Sequence, residues 1–252
     1  AASQAEVEKA FPEHFQPLRF DVTDPQAIAA AVKVVQTQLG DTNLTALINN
    51  AGHAATGPLQ LLDDDTFRQQ LEVNLFGVRN VINAFLPQLG AKTGLAQYGH
   101  KPPPRSAMII NISSISGVVN TPINGAYCVA KHALESLGEV YRRELMPYGI
   151  DVVSIQPGPI QSRLWEKSKG TLSPFAESDY APMVAKTEEI MHAAARDPLP
   201  AEVISRLIRR IIEQGGPRAT YLIHRHPFFP RLLAGFLPAR WADRLIWRKL
   251  CR

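Results

Sequence analysis

The sequence lacks the features that would place it outside the ordinary globular class. Its 252 residues include only two cysteines, Cys128 and Cys251, which are too few for a disulfide framework. No apolar run reaches about 18 residues, so we expect no transmembrane helix. The first ten residues are polar and do not resemble a signal peptide. We therefore expect a cytoplasmic protein, and the 45% hydrophobic content is typical of a folded domain.

The net charge of +4 is small but unevenly distributed. Residues 229–252 carry six basic side chains against one acidic side chain, a charge of +5 that leaves −1 for the rest. A nucleic-acid-binding domain would spread its basic residues more widely, so we expect no nucleic-acid partner. Trp241 and Trp247 are interleaved with these charges, and Pro238 is expected to divide the tail into two short helices. Such a tail either contacts an anionic membrane surface or covers the substrate pocket or a partner subunit.

Hydrophobic patterns predict alternating strands and helices. The strands are expected at 17–22, 44–50, 107–114, 150–156 and 219–224, and the helices at 25–39, 65–89, 126–145, 178–196 and 200–214. Strands separated by long helices indicate an α/β fold with a parallel sheet covered on both faces. The Pro-rich stretch 94–106 is expected to form a surface loop.

Tyr127 and Lys131 are four residues apart on a predicted helix, so their side chains share one face. A free tyrosine has a pKa of about 10, and a neighbouring ammonium is expected to lower that pKa by favouring the phenolate. Tyr127 would then exchange a proton with an alcohol or a ketone. The pair alone is a weak signal, since any helix can contain it by chance.

Other polar residues and glycines follow the neighbouring predicted strands. Asn49, Ala51 and Gly52 lie at the end of one strand, Ser114 ends the next, and Pro157-Gly158 follows a third. Asn74 stands in the middle of a helix, where asparagine is unfavourable and needs a structural reason. Because ligands of parallel sheets bind at the carboxyl ends of the strands, these residues predict one common site.

Together these motifs resemble the short-chain dehydrogenase/reductase family. The matching motifs are NNAG at 49–52, Asn74, ISS at 112–114, YCVAK at 127–131 and PGP at 157–159. The resemblance implies a single-domain, doubly wound parallel sheet (Rossmann-like) over residues 1–228, followed by the tail 229–252. It implies an enzyme that interconverts a secondary alcohol and a ketone by hydride transfer, with Asn74, Ser114, Tyr127 and Lys131 as the catalytic tetrad.

The resemblance also implies the role of each tetrad residue. Tyr127 would exchange the hydroxyl proton, and Ser114 would hydrogen-bond the substrate oxygen. Lys131 would lower the pKa of the tyrosine and hold the nicotinamide ribose, while Asn74 would position a water of the proton relay.

The cofactor implied by the resemblance is NAD or NADP. Asp21 and Val22 would meet the adenine, and Asn49, Ala51 and Gly52 would contact the adenosine ribose. Pro157, Gly158, Ile160 and Ser162 would line the nicotinamide, with serine at 162 where the family commonly has threonine.

One family motif, the glycine-rich turn TGxxxGxG, does not occur in the sequence. We expect that the chain begins inside the domain and lacks the first βαβ unit, which carries the residue that separates NAD from NADP. The chain as given is therefore expected to bind the cofactor weakly and to be inactive, whereas the full-length parent is expected to be the enzyme. An alternative interpretation is a binding or regulatory protein that no longer binds the cofactor. The presence of both Tyr127 and Lys131 favours the enzyme.

The family also implies a substrate lid, at about 162–200, and a homodimer or homotetramer through helices 65–89 and 126–145. The lid residues Leu164, Trp165, Leu172, Phe175, Tyr180, Met183 and Met191 either bind a lipophilic substrate or pack the lid onto the body. The lid and the tail resemble the retinol, 17β-hydroxysteroid and 3-hydroxybutyrate dehydrogenase branch. His224 and His226 have no nearby carboxylate or thiol partner in sequence, so we expect no metal site.

Overall fold

Four strands form one parallel sheet in the computed structural model, which describes residues 9, 14–92, 103–162, 170–226 and 237–250. They are β1 (Ala46–Asn49), β2 (Ala107–Ile112), β3 (Ile150–Pro157) and β4 (Thr220–Ile223), and they lie in that order. Asn49 is opposite Asn111, and Asn111 is opposite Ser154. Because all four strands are parallel, their carboxyl ends meet at one edge of the sheet.

Helices surround this sheet in the described segments. They are α1 (Pro25–Leu39), α2 (Asp64–Leu71), α3 (Val78–Phe85), α4 (Gly125–Glu144), α5 (Ala181–Arg196), α6 (Ala201–Glu213) and α7 (Ala239–Leu250). The ends of α1 are set by local residues. The Asp24 side chain accepts hydrogen bonds from the first turn, Pro25 is the first helical residue, and Gly40 ends the helix with a φ of 56°.

The predicted helix 65–89 is divided by a π-helical turn. This turn, Glu72–Gly77, joins α2 to α3, and a short 3₁₀ turn, Pro87–Leu89, follows α3. A Cβ atom on Gly77 would lie 2.8 Å from the Val22 side chain, so a glycine allows the turn to approach that residue. Wider π-helical turns inside α-helices are frequent at functional sites, and this one contains Asn74.

The core lies on both faces of the sheet, as the fold class predicts. Alternate residues of β2 point to opposite faces: Ile109 packs with α3 and α4, whereas Ile110 packs with α6. The larger cluster contains Ile82 of α3 and Leu134 of α4, both almost completely buried. The predicted α/β fold, a parallel Rossmann-like sheet with helices on its two faces in one domain, is therefore confirmed.

The strand predicted at 17–22 is wrong. These residues form no ladder with any described strand, and β1 pairs only with β2 in the described sheet. The apolar residues still pack, since Phe20 and Val22 contact a cluster of Ile28, Val81 and Phe85. The expected burial is only partial, since Leu18 is exposed and Phe20 and Val22 are half-buried, and a strand also requires a hydrogen-bonded neighbour.

The remaining boundaries differ from the predictions by a few residues at the ends. The first predicted helix of the tail and most of the 94–106 stretch lie outside the described residues, whereas α7 begins directly after Pro238. None of the helices in the described ranges combines the length and apolarity needed to cross a bilayer.

Candidate active site

The predicted site residues converge on the edge where β1, β2 and β3 end. Asn49 ends β1, Ser113 and Ser114 follow β2, and Pro157 ends β3. The Asn49 side chain donates a buried hydrogen bond of 2.9 Å to Oδ1 of Asn111 on β2. Side-chain hydrogen bonding therefore reinforces the sheet directly beneath the site.

Lys131 is the most unusual residue of this edge, because its side chain is charged at one end yet only 4% exposed. Its ammonium donates a hydrogen bond of 2.9 Å to the backbone carbonyl of Ile112, the last residue of β2. The same nitrogen lies 5.6 Å from the ring centroid of Tyr127, one helical turn earlier on α4. An ammonium has three N–H donors, and among the described residues only the Ile112 carbonyl accepts one.

Burial controls the pKa values of this pair. Burial lowers the pKa of Lys131 from 10.5 to about 8, and the negative charge of Glu135 acts against that change. Burial also raises the pKa of Tyr127, while a hydrogen bond with the Ser114 side chain acts against the increase. The expected lowering of the Tyr127 pKa does not occur in this structure, because desolvation of the phenolate outweighs the contributions that favour it.

Ser114 is held by a local turn. Its hydroxyl oxygen accepts a hydrogen bond of 3.1 Å from the backbone N–H of Ser116 and caps a 3₁₀ turn, Ile115–Gly117. The Ser114 side chain lies close enough to the Tyr127 hydroxyl to act against the rise in its pKa, and the Tyr127 ring lies against Lys131. Three of the four predicted tetrad residues therefore lie in one neighbourhood.

Asn74, the fourth predicted residue, supports a loop instead of contacting the other three. Its amide donates to the carbonyl of His53 at 2.7 Å and to the carbonyl of Gln70 at 3.1 Å, and its Oδ1 accepts from the N–H of His53 at 3.0 Å. A Cβ atom on Gly52 would lie 3.2 Å from that oxygen, which explains glycine at the end of the NNAG motif. The buried position of Asn74 in a helix is thus explained by its hydrogen bonds to the loop after β1.

Gln70 is a site residue that the sequence reasoning missed. It is fully buried, accepts from the N–H of Ala55 at 2.6 Å and donates to the carbonyl of His53 at 2.7 Å. Gln70 and Asn74 are four residues apart, so both amides share one helix face and hold the same loop. That spacing of two amides was the available signal.

The residues predicted to contact a cofactor fall into two groups. Asn49, Pro157 and Gly158 lie at the strand ends, and a Cβ atom on Gly158 would lie only 2.4 Å from the ring of His224. Asp21 lies in a surface cleft beside Thr23 and the α2 residues Arg68 and Gln69, and its carboxylate accepts from the N–H and hydroxyl of Thr23. These hydrogen bonds lower the pKa of Asp21.

The other predicted cofactor contacts are less enclosed. Ala51 and Ser162 are exposed, whereas Ile160 bridges to Leu199. The backbone N–H of His226 donates a hydrogen bond of 3.0 Å to Nδ1 of His224. No group of three or more potential metal ligands occurs in the described part of the chain.

The lid packs against the loop that Gln70 and Asn74 hold. The hydroxyls of Thr56 and Thr171 are 2.7 Å apart, and the Tyr180 hydroxyl donates to Gln60 at 2.9 Å. Leu172 and Val184 are almost fully buried with Ile123, together with partly buried Phe175, Tyr180, Met183 and Met191. These contacts favour the packing role for Leu172 and Val184. Leu164 and Trp165 lie outside the described residues.

The chain's similarity to known proteins is clear over most of its length. The sequence profile described as "short chain dehydrogenase" matches residues 1–172, more than half of the chain. The chain belongs to the short-chain dehydrogenase family. The resemblance predicted from the motifs is therefore confirmed.

Individual short-chain dehydrogenases match the chain to different extents. An NADPH-dependent 3-dehydrocapnine reductase from Ornithobacterium rhinotracheale is 32% identical over 96% of this chain and 83% of its own length. Retinol dehydrogenase 5 from Mus musculus is 36% identical over 55% of this chain and 39% of its own length. The structure of a short-chain dehydrogenase from Streptomyces avermitilis superposes with a TM-score of 0.71 at 24% identity, over 96% of this chain and 82% of that one.

The lowered pKa of Lys131 predicts a pH-dependent stability. The unfolded lysine titrates near 10.5 and the folded one near 8, so the unfolded state binds more protons between these values and stability rises with pH. The difference of 2.5 units is worth about 3 kcal/mol. Lys131→Met removes this titration, so wild type should gain stability relative to the variant as the pH is raised from 7 to 10.5, measured by urea unfolding.

Lys33→Met, at an exposed lysine of α1, is the matched control and should follow the wild-type pH dependence. The burial of a charged Lys131 would be contradicted if the free energies of unfolding of wild type and Lys131→Met showed the same dependence on pH.

Proposed function

We propose that this chain carries the catalytic centre of an NAD(P)-dependent oxidoreductase that interconverts a secondary alcohol and a ketone. The observation that supports this most directly is the buried Lys131 ammonium against the Tyr127 ring, with the Ser114 side chain close enough to the Tyr127 hydroxyl to act on its pKa. The NADPH dependence in the name of the 3-dehydrocapnine reductase supports the choice of cofactor. The alternative of a binding protein gains no support, because these three side chains converge on one point.

In the proposed mechanism each side chain acts on a defined atom. Tyr127 donates its hydroxyl proton to the substrate oxygen in reduction and accepts it in oxidation, and Ser114 holds that oxygen by a hydrogen bond. The chemistry that a bound nicotinamide supplies is transfer of a hydride to or from the carbon. Lys131 fits a ribose, because two of its three N–H donors have no acceptor among the described residues. A protonated Lys131 also favours the phenolate formed when Tyr127 gives up its proton.

The further cofactor contacts are proposals of the same kind. Asp21 and Val22 are assigned to the adenine, Asn49, Ala51 and Gly52 to its ribose, and Pro157, Gly158, Ile160 and Ser162 to the nicotinamide. Asn74 is assigned to the shaping of the loop at His53, since both amide hydrogens of its side chain are already donated to backbone carbonyls.

A lipophilic substrate is proposed from the surroundings of the lid. Phe175, Tyr180, Met183 and Met191 are partly buried, so apolar surface remains beside the cluster of Ile123 and Leu172. The partial similarity to a retinol dehydrogenase supports an apolar substrate and the branch suggested by the sequence.

Replacing the proton donor tests the proposed function. Tyr127→Phe removes the hydroxyl that exchanges the proton but preserves the ring that packs against Lys131. Turnover should fall by at least about 100-fold, because positioned acid–base catalysis typically contributes 10²–10⁴-fold. Consumption of NADPH by the natural protein that contains this chain, followed by absorbance with a panel of apolar ketones, measures the effect.

Tyr148→Phe is the control, since this half-buried tyrosine packs at the far end of α4. It should retain nearly full turnover. A Tyr127→Phe variant that keeps more than about a tenth of the wild-type rate would contradict the proposed mechanism.

Assembly into a homodimer or homotetramer through helices 65–89 and 126–145 is proposed on the apolar residues of these helices that remain exposed. Val78, Val81 and Leu134 are buried within the chain and cannot form an interface. Phe76, Val129 and Val140 are each more than 40% exposed on these helices and are available to a second copy. A monomeric mass in light scattering would contradict this assembly.

The described part of the tail presents two different faces. Ala242, Ile246 and Leu250 form the more buried side of α7, which packs against α5 of the lid. Trp241 and Trp247 are about 60% exposed. The same exposed surface carries Arg240, Arg244, Arg248 and Lys249, and none of these cations forms an ion pair in the described segments. The two interpretations of the tail are thus compatible: the inner face covers the lid, and we propose that the outer face contacts an anionic membrane.

Vesicle co-sedimentation tests the membrane contact. Arg244→Gln with Arg248→Gln should weaken binding to phosphatidylserine vesicles by at least about tenfold, since each basic residue near an anionic surface is worth about 1 kcal/mol. Arg206→Gln with Arg210→Gln changes the charge equally on exposed positions of α6 and should leave binding unchanged. Equal binding by all three proteins, or no binding, would contradict the proposal.

A further inference from the structure

Glu135 connects the helix that carries Tyr127 and Lys131 to the strand end that carries Pro157. It lies one turn after Lys131 on α4, and its Oε2 accepts a hydrogen bond of 3.0 Å from the side-chain amide of Gln156. Gln156 is 9% exposed and directly precedes Pro157 at the end of β3. The carboxylate therefore spans two elements of the proposed site.

The second oxygen of this carboxylate is buried without a hydrogen-bond partner among the described residues. The hydroxyl of Ser113 is in the same situation. Both groups flank Gly117, where a Cβ atom would lie 3.0 Å from Oγ of Ser113, 3.1 Å from Cγ of Glu135 and 2.9 Å from the carbonyl oxygen of Lys131. The glycine thus allows Glu135, Ser113 and Lys131 to come close together beneath the Tyr127–Lys131 pair.

A buried carboxylate oxygen that lacks a hydrogen bond is costly unless a cation lies nearby. Lys131 lies one helical turn from Glu135, without an ion pair within 4.0 Å in the described segments, and the negative charge of Glu135 acts against the fall in the pKa of Lys131. No other charged group in the described residues has a resolved influence on Lys131. The remaining groups around Lys131 are the Tyr127 ring on its own helix and the Ile112 carbonyl on β2, both uncharged. Gln156 and Ser113, which face Glu135 from β3 and from the end of β2, are also uncharged.

We propose that Glu135 is a positioning residue that keeps Lys131 protonated and directed at the Ile112 carbonyl, while Gln156 fixes the carboxylate to the end of β3. The proposal rests on the function assigned to Lys131 above. Its chemical reason is that a neutral lysine would neither favour a Tyr127 phenolate nor offer three donors. Burial alone brings the pKa of Lys131 close to the physiological range, so a nearby negative charge has a direct effect on its protonation.

Selective ¹³Cε-lysine labelling and NMR titration of the full chain measure this effect without cofactor or substrate. The Lys131 signal, assigned by its loss in Lys131→Arg, should titrate near pH 8 in wild type. Glu135→Gln retains the shape of the side chain and can still accept the Gln156 hydrogen bond, but it removes the charge. It should lower the pKa of Lys131 by about one unit, the size expected for a nearby opposite charge.

Glu139→Gln is the matched control, because Glu139 is exposed on the next turn of α4 and pairs with Arg143. It should leave the Lys131 titration unchanged. If Glu135→Gln does not fold, Glu135→Asp takes its place, because it keeps the negative charge. It should give a well-folded chain in which the pKa of Lys131 stays closer to the wild-type value than to the value expected without a carboxylate. An unchanged Lys131 titration in Glu135→Gln would overturn the proposal.

The pH profile of turnover gives a second readout that a merely structural role would not move. In Glu135→Gln the alkaline loss of activity should begin at a pH about one unit lower, whereas a packing defect would reduce turnover equally at every pH. Failure of the proposed function would appear separately, as an active Tyr127→Phe variant with a normal Lys131 titration. An altered titration without any shift of the pH profile would also count against Glu135 as a positioning residue.

Discussion

The arrangement of the site depends on the hydrogen bond from the Lys131 ammonium to the Ile112 carbonyl. This bond joins the middle of α4 to the last residue of β2, so it sets the position of Tyr127 relative to the strand ends. It also makes it possible to bury a cation that desolvation would otherwise neutralise or exclude. The site is therefore built at a cost in stability, which the larger core of α3, α4 and the sheet offsets.

Amide side chains and glycines adapt the fold around this buried charge. Gln70 and Asn74 hold the loop at His53 from a π-helical turn, and the lid then packs against the end of the same loop. Gly117 and Gly158 allow the chain to approach Lys131 and His224 more closely than any larger residue would permit. The rigid parts of the site thus come from three successive strand ends, while the covering part comes from the lid.

Sequence patterns predicted the features that depend on neighbours along the chain. The caps of α1, the parallel order of the main strands and the approach of Tyr127 to Lys131 follow from local signals and from known packing rules. A strand at 17–22 depends instead on whether a neighbouring strand is present to pair with it. The pKa of Tyr127 depends on how much water the surrounding atoms exclude. Glu135 was missed for the same reason, because its partner Gln156 is 21 residues away along the chain.

The most direct test of this account is a crystal structure, with NADPH bound, of the natural protein that contains this chain. The account predicts that Lys131 keeps its hydrogen bond to Ile112 and donates its other hydrogens to the ribose next to the nicotinamide. It also predicts that the nicotinamide lies beside the hydroxyl of Tyr127 and the end of β3. A bound cofactor whose ribose makes no contact with Lys131, or whose nicotinamide lies away from Tyr127, would contradict it.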